Sequence, residues 1–497
     1  MAHALSPLPK REFGYWEAAH LLNRAGFGGT PEQVLVLSDM GLEGAVDYLL
    51  SWERTPETIP PTESFTNDIM QPLSEKNRRE RTQARKQGDE VTLEKFREAR
   101  QERQRRDRRQ MRDIQSWWLE RMIETARPMQ EKMTLFWHGH FATGYRAVED
   151  SWHMLMQNDM LRRNALGNFK NDLVHGIIRD PAMIKYLNNN QNTRKSPNEN
   201  LARELMELFT LGEGNGYTED DIKQGARALT GMTFRDDTYT FNSRNHYSSS
   251  IKLLGKIGSF DGDDFVELIF RRPSVATFVP WKMHRFFVND THEVDRTTEA
   301  AVRRMGAVLR RSNWEVRPML RELLMSQHFY APEHRNTIIK SPVQLAVQAV
   351  RSLGTPIRDI RRVNQACGFM GQELFMPPSV KGWDGGRKWI NTSTLFVRQN
   401  LLVYLMTGRD PESSPWEASQ GGWNPSPFVE HLDGLPGRDR IADSVTYLAR
   451  FILGAAPTDG RLQQWIDLAR ARGSNLSSET LIHLISLMTA CPEYQLC

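Results

Sequence analysis

Apolar residues recur along most of the chain at i, i+3, i+4 and i+7, the spacing of one buried helix face. Thr30-Pro31-Glu32 supplies an N-cap and a proline at the first helical position, so a helix carrying Val34, Leu35 and Leu37 is predicted there, ended by Gly41. Val46, Leu49 and Leu50 mark the next. Ile114, Trp117, Trp118 and Met122 predict another, and the pattern continues from 129 to 137, from 152 to 166 and from 173 to 187. Residues 198–211 carry a strong stripe of Leu201, Leu205, Leu208 and Phe209, broken by Gly212, Gly214 and Gly216. Thr218 with Asp221 reads as a capping box. Asp261 reads as a helix cap, because Asp261-Gly262-Asp263-Asp264 lacks the acid alternation and closing glutamate of a calcium loop. Only over 232–254 do Thr, Tyr and Phe alternate with polar residues. The expected fold class is therefore mainly α, a multi-helix globular body with a small β-hairpin or sheet near 232–254.

A chain of 497 residues is long enough for two or three domains or one large fold with insertions. The pattern divides it into an N-terminal helical part (1–75), a charged helical or mobile insertion (76–113), a main helical body (114–405), a Pro/Gly/Ser-rich linker (406–440) and a C-terminal helical segment (441–497). The insertion holds 15 Lys and Arg against 8 Asp and Glu, and it is almost free of apolar residues between Arg97 and Gln110. It reads as a solvated polar helix or, alternatively, as a basic arm for an anionic partner.

The net charge of +4 is small for this length and argues against a dedicated nucleic-acid binder. The three cysteines, Cys367, Cys491 and Cys497, form no C-x-x-C pair, which disfavours a disulfide framework or a cysteine zinc site. The first residues lack the apolar run of a signal peptide, and no stretch approaches a membrane span, so the expected compartment is cytoplasmic.

Three stretches carry candidate chemistry. Phe136-Trp137-His138-Gly139-His140-Phe141 sets two histidines two apart at the end of an amphipathic run. Such residues lie about 200° apart on an ideal helix, and they converge only if Gly139 loosens the helix end. On that condition His138 and His140 are candidate ligands of a divalent metal, with His153 a possible third; otherwise they are packed structural histidines. On the helix over 198–211, Glu204 and Glu207 are neighbours and can serve as a further ligand or general base. Alternatively, Glu199, Arg203 and Glu207 form a plain charge ladder. Asn198, Asn200 and Arg203 on this helix are candidate substrate contacts. In the glycine-rich loop Lys381–Asn391, Trp383 and Trp389 can stack on a sugar or aromatic ligand while Asp384 and Arg387 hydrogen-bond it; the bland alternative is a loop pinned by its two indoles. There is no P-loop, no H-E-x-x-H and no G-x-S-x-G.

Several long motifs, in order, resemble the bacterial family known as domain of unknown function 1800. They are His20–Gly29, Glu131–Phe141, Pro197–Asn200 through Gly212, Ile339–Val343 and Pro378–Asp384, with Pro492–Gln495 at the close. The likeness runs from about residue 14 to 405. It implies a mostly helical body, frequent export, and frequent encoding beside a sulfatase- or phosphatase-like protein as possible partner. The basic insertion and the lack of a signal sequence depart from that pattern. The resemblance carries no catalytic assignment.

The function expected from these residues is a metal-dependent hydrolase-like enzyme acting on a glycan or a phosphate or sulfate ester. The metal would lower the pKa of a bound water. The alternatives are a non-catalytic helical binding or assembly protein and, more weakly, a haem-binding protein.

Overall fold

The computed structural model describes residues 4–290, 294–409, 423–430, 440–473 and 476–497. Most of the linker expected at 406–440 lies outside the described residues. Among the described residues the chain is mainly helical, with two small antiparallel hairpins.

The helices that frame the centre are α1 (Tyr15–Ala25), α2 (Glu75–Gln87), α3 (Glu90–Glu124), α4 (Pro128–His140), α5 (Ser151–Arg163), α6 (Asn200–Glu204), α7 (Val275–Phe287), α8 (Pro342–Leu353) and α9 (Thr392–Thr407). Many begin at the side-chain caps that the sequence offers. Thr30 and Gln33 form a capping box, as do Thr218 with Asp221 and Asp261 with Asp264. Asp150 accepts from the backbone N–H groups of Trp152 and His153 to start α5.

Two predicted helices are interrupted. The run expected over 173–187 is cut at Pro181, which has no N–H to continue a helix but suits the first position of a new one. Asp180 caps that new helix, Pro181–Tyr186. The run over 198–211 starts as α6 and widens into a π-helical turn, Leu205–Thr210, where the Thr210 hydroxyl donates back to the Leu205 carbonyl.

The β section is two separate hairpins, and it runs slightly past its expected end. β1 (Met232–Arg235) pairs with β2 (Thr238–Phe241), and β3 (Ile251–Leu253) pairs with β4 (Lys256–Gly258). Positive φ at Asp236 in the first turn and at Leu254 and Gly255 in the second closes these short loops.

The charged segment is a helical hairpin. Gly88, at φ 66°, ends α2, and Asp89 caps α3. The first part of α3 is exposed. From Met111 onward the helix carries apolar residues into the core, and Met111, Ile114, Trp118 and Met122 are buried.

The apolar core has two clusters, and α4 lies between them. Met129, Met133, Phe136 and Trp137 pack into one, Leu135 into the other. A helix buried all round has few polar anchors, so the fully buried Glu131 carries unusual weight. Its carboxylate accepts from Trp118 Nε1 at 2.8 Å, from Arg121 Nε, and from Arg162 Nε at 2.8 Å. It thereby ties α3, α4 and α5 together. Burial alone would raise its pKa, but Arg162 and Arg121 outweigh that and hold it below the ordinary carboxylate value.

The Trp- and Gly-rich loop lies against the end of α4. Gly382 has φ 77°, and a Cβ there would stand 2.3 Å from the Gly139 carbonyl oxygen, so only glycine fits. Asn391 then caps α9 through a reciprocal bond with Thr394.

Two outcomes follow. Glu131→Gln removes the charge that neutralises two buried guanidinium groups and is expected to cost about 3–5 kcal/mol, read by urea unfolding; a loss within the roughly 0.5 kcal/mol of an ordinary surface change would show that the cluster is not a structural anchor. Gly382→Ala should lower the melting temperature, because the loop must lift from Gly139. An unchanged melting temperature would refute that close approach.

Candidate functional site

A cavity of about 230 Å³ opens beside α4. One face of α4 forms a wall, since Lys132, Leu135, Phe136, Gly139 and His140 follow the i, i+3, i+4, i+7, i+8 spacing. Lys282, Arg285 and Phe286 of α7, together with Asp290 just beyond it, form a second wall. Arg24 of α1 and Gln344 of α8 close the interior, and the loop contributes Lys381, Trp383, Asp384, Gly385, Gly386 and Trp389. Lys340 enters from the segment before α8. That segment pairs with the last residues described, through Lys340 N–H to the Gln495 carbonyl and Cys497 N–H to the Ile338 carbonyl.

The lining is strongly cationic. Arg24, Lys132 and Lys340 are 1%, 5% and 1% exposed, so their charges are held away from water. Their bonds go to neutral groups. Arg24 donates to the carbonyls of Phe287, Val288 and His334. Lys132 donates to Gln344 Oε1 and sits 5.1 Å from the ring centres of both Phe27 and Phe286. Lys340 donates to the Tyr494 carbonyl at 2.7 Å and lies 3.9 Å over the Tyr494 ring. Lys282 donates to His140 Nδ1 at 3.2 Å. Among the described residues, no carboxylate forms an ion pair with Arg24, Lys132, Lys282, Arg285 or Lys340; of the lining cations only Lys381 has one, with Glu213 at 3.9 Å. Three buried donors on lining residues also lack an acceptor: Arg24 Nε, Arg285 Nε and Trp383 Nε1.

Burial pushes the Lys132 ammonium down to about 8, with Cys497 acting in the opposite sense and Arg24 adding to the fall. Lys340 is likewise pushed down to about 8 by burial, with Cys497 again opposing and Arg398 adding. Lys282 falls to about 8 through burial and the nearby Arg285. Asp290, an acid of the lining, is itself raised by burial, against the pull of Arg285 and Arg24.

The candidate residues read from the sequence divide among several places. His138 and His140 belong to α4, which stays helical through His140, so their rings take different partners. His138 Nε2 accepts from the Phe375 N–H at 3.0 Å, while His140 Nε2 meets the Phe209 carbonyl at 2.9 Å. Burial lowers the pKa of both. His153 sits at the first hairpin, with Nε2 3.1 Å from the Asp236 carbonyl and 3.2 Å from Asp237 Oδ1. Among the described residues, no three or more His, Cys, Asp or Glu side chains are grouped so as to hold a metal ion.

Arg203 bonds Glu199 at 3.1 Å, Glu207 at 3.3 Å and Glu219 at 2.9 Å, which is the charge ladder extended by one acid. Glu204 is half-buried, and burial followed by Glu207 raises its pKa, with Arg203 and Lys381 opposing. Asn198 Oδ1 accepts from the Asn200 N–H, and the Asn198 N–H donates to Asn192 Oδ1, so these amides order the entry to α6. None of Asn198, Asn200, Arg203, Glu204 and Glu207 lines the cavity, whereas Trp383 and Asp384 do; Arg387 is exposed and outside the lining.

Reading for metal-ligand spacing missed Arg24, Lys132, Lys282 and Lys340. A signal for them existed. Arg24 and Lys340 stand in mainly apolar stretches, and three of the four cations lie inside the motifs His20–Gly29, Glu131–Phe141 and Ile339–Val343.

Among the described residues, no helix is long and apolar enough to cross a membrane. No curated protein and no solved structure matches the chain. The profile described as "Protein of unknown function (DUF1800)" matches residues 20–496, a span that contains every lining residue of the cavity except Cys497. The chain belongs to the DUF1800 family.

Proposed function

We propose that the protein binds a small molecule through an anionic group, a phosphate, sulfate or carboxylate, in the cavity beside α4. A phosphorylated or sulfated glycan, the substrate class expected from the sequence, fits this chemistry. The observation that carries the reading is the set of buried lysines and arginine lining one cavity, to which no carboxylate is paired among the described residues. Isolated buried charge is costly, and an oxyanion would offset that cost while satisfying open donors. Trp383 and Phe286 supply apolar faces for the rest of the ligand.

Ester hydrolysis would add a chemical step at the same cavity, and a purely binding role would use the same contacts. Metal-assisted hydrolysis through His138 and His140 would require His138 Nε2 to leave the Phe375 N–H and a metal on His140 Nδ1 to displace Lys282.

Sulfate, whose charge is constant across neutral and alkaline pH, is a suitable probe. About 20 mM sulfate should raise the melting temperature by a few degrees through binding to the folded state alone. Lys132→Met and Lys340→Met should each abolish that rise. Both should leave the ligand-free protein as stable or more stable, because a buried charge is removed. Failure of sulfate, phosphate and acetate alike to raise the melting temperature would overturn the reading.

The pH dependence has a definite sign. A lysine whose folded pKa is lowered binds fewer protons folded than unfolded between about 8 and its ordinary value, so stability of the free protein gains from these groups as pH rises through that window. Anion binding requires the charged form. Sulfate affinity should therefore fall about tenfold or more as the pH is raised well above 8, with proton uptake on binding near pH 8, measured by calorimetry in buffers of different ionisation heat. An affinity unchanged over that range would refute the assignment to these lysines.

A further inference from the structure

We infer that Lys282 is a nucleophile that forms an imine with a carbonyl compound carrying an anionic group, the anion being held by the neighbouring lysines and arginines. This inference rests on the anion-binding reading for the second half of the ligand.

The three lysines nearest the cavity interior are held differently. Lys340 is committed to the Tyr494 carbonyl and the face of its ring. Lys132 is committed to Gln344 and lies between two phenylalanine rings. Lys282 has looser partners, His140 Nδ1 at 3.2 Å and the Leu208 carbonyl at 3.4 Å, and it is half-buried.

The His140 contact has a definite polarity. The Phe209 carbonyl can only accept, so His140 Nε2 carries the ring proton and Nδ1 presents a lone pair. Lys282 therefore faces an acceptor on a neutral ring that burial keeps from becoming charged. Burial, then the nearby Arg285, makes the ammonium give up its proton at milder pH than an exposed lysine, and among the described residues no carboxylate pairs with it to oppose this.

The step balances without a co-reactant. The ammonium proton is released to water. The Nζ lone pair forms a bond to the carbonyl carbon, and the C=O π pair moves to oxygen, which takes a proton. The resulting carbinolamine loses its hydroxyl group and one nitrogen proton as water, leaving C=N. Lys132 and Arg285, in the walls on either side, are placed to receive a carboxylate or phosphate attached to that carbon.

Reductive trapping tests this directly on the full-length protein. Glyoxylate, a carbonyl bearing a carboxylate, is added with cyanoborohydride, and the modified lysines are located by peptide mass spectrometry. Lys282 is expected to react at least about tenfold faster than the exposed Lys252 and Lys256, and sulfate should slow it. Lys282→Arg, which keeps the charge but cannot form an imine, should lose the fast adduct while keeping the sulfate-induced rise in melting temperature. Modification of Lys282 no faster than of Lys252 would overturn the inference; if sulfate still stabilised the protein, the anion-binding reading would stand alone. Equal reaction with acetaldehyde, unaffected by sulfate, would leave Lys282 a nucleophile but overturn the anionic half of the proposed ligand.

Discussion

The carboxylate of Glu131 is the contact on which the centre of the molecule depends. It lies at the start of a helix with almost no access to water, and it is neutralised by guanidinium groups from the helices on either side. Arg121 reaches on to Glu57 and to the Ile59 carbonyl, so the same network also ties down the chain before the charged hairpin. Apolar packing alone is non-directional and would leave α4 free to roll. A charge that must meet two arginines and an indole N–H has very few acceptable orientations. Fixing that roll decides which residues of α4 face the cavity.

Adjacent positions on this helix receive opposite electrostatic treatment. Glu131 has more positive partners than it needs, whereas Lys132 has only an amide and two aromatic rings. Among the described residues, the fold compensates this buried anion internally and leaves the cations of the cavity interior without ion pairs. Arg24 and Lys340 share that condition, although they come from distant parts of the chain. Several buried cations gathered around one cavity without ion pairs are a feature that a fold selected only for stability would remove. The glycine-rich loop adds to the point. Gly382 brings its backbone onto Gly139, and Trp389 is buried, so the loop closes one side of the cavity with backbone and indole.

Much of the fold was legible because its determinants are local. Thr30 and Gln33, Thr218 and Asp221, and Asp261 are caps whose partners lie three residues away, and each starts a helix where the sequence places one. The break at Pro181 was missed because apolar spacing continues across it while the backbone hydrogen bond does not. The π-helical turn after Glu204 was invisible for a different reason: it changes the register of backbone bonds without changing which residues are apolar. On Arg203, of the two readings open from the sequence, the charge ladder is present, joined by Glu219 from the next helix.

The sequence by itself determined the helical character, the caps, the place of the β hairpins and the membership of a family, since each is written in residues near one another or in motifs kept in order. It also showed that His138 and His140 stand 200° apart on any regular helix. Only the tertiary structure decided which buried charges find a counter-charge. Arg24, Lys132, Lys282 and Lys340 are separated by up to 316 positions, and nothing local distinguishes a lysine that will meet a carboxylate from one that will not. That depends on which helix faces are brought together, and here they meet around a single cavity.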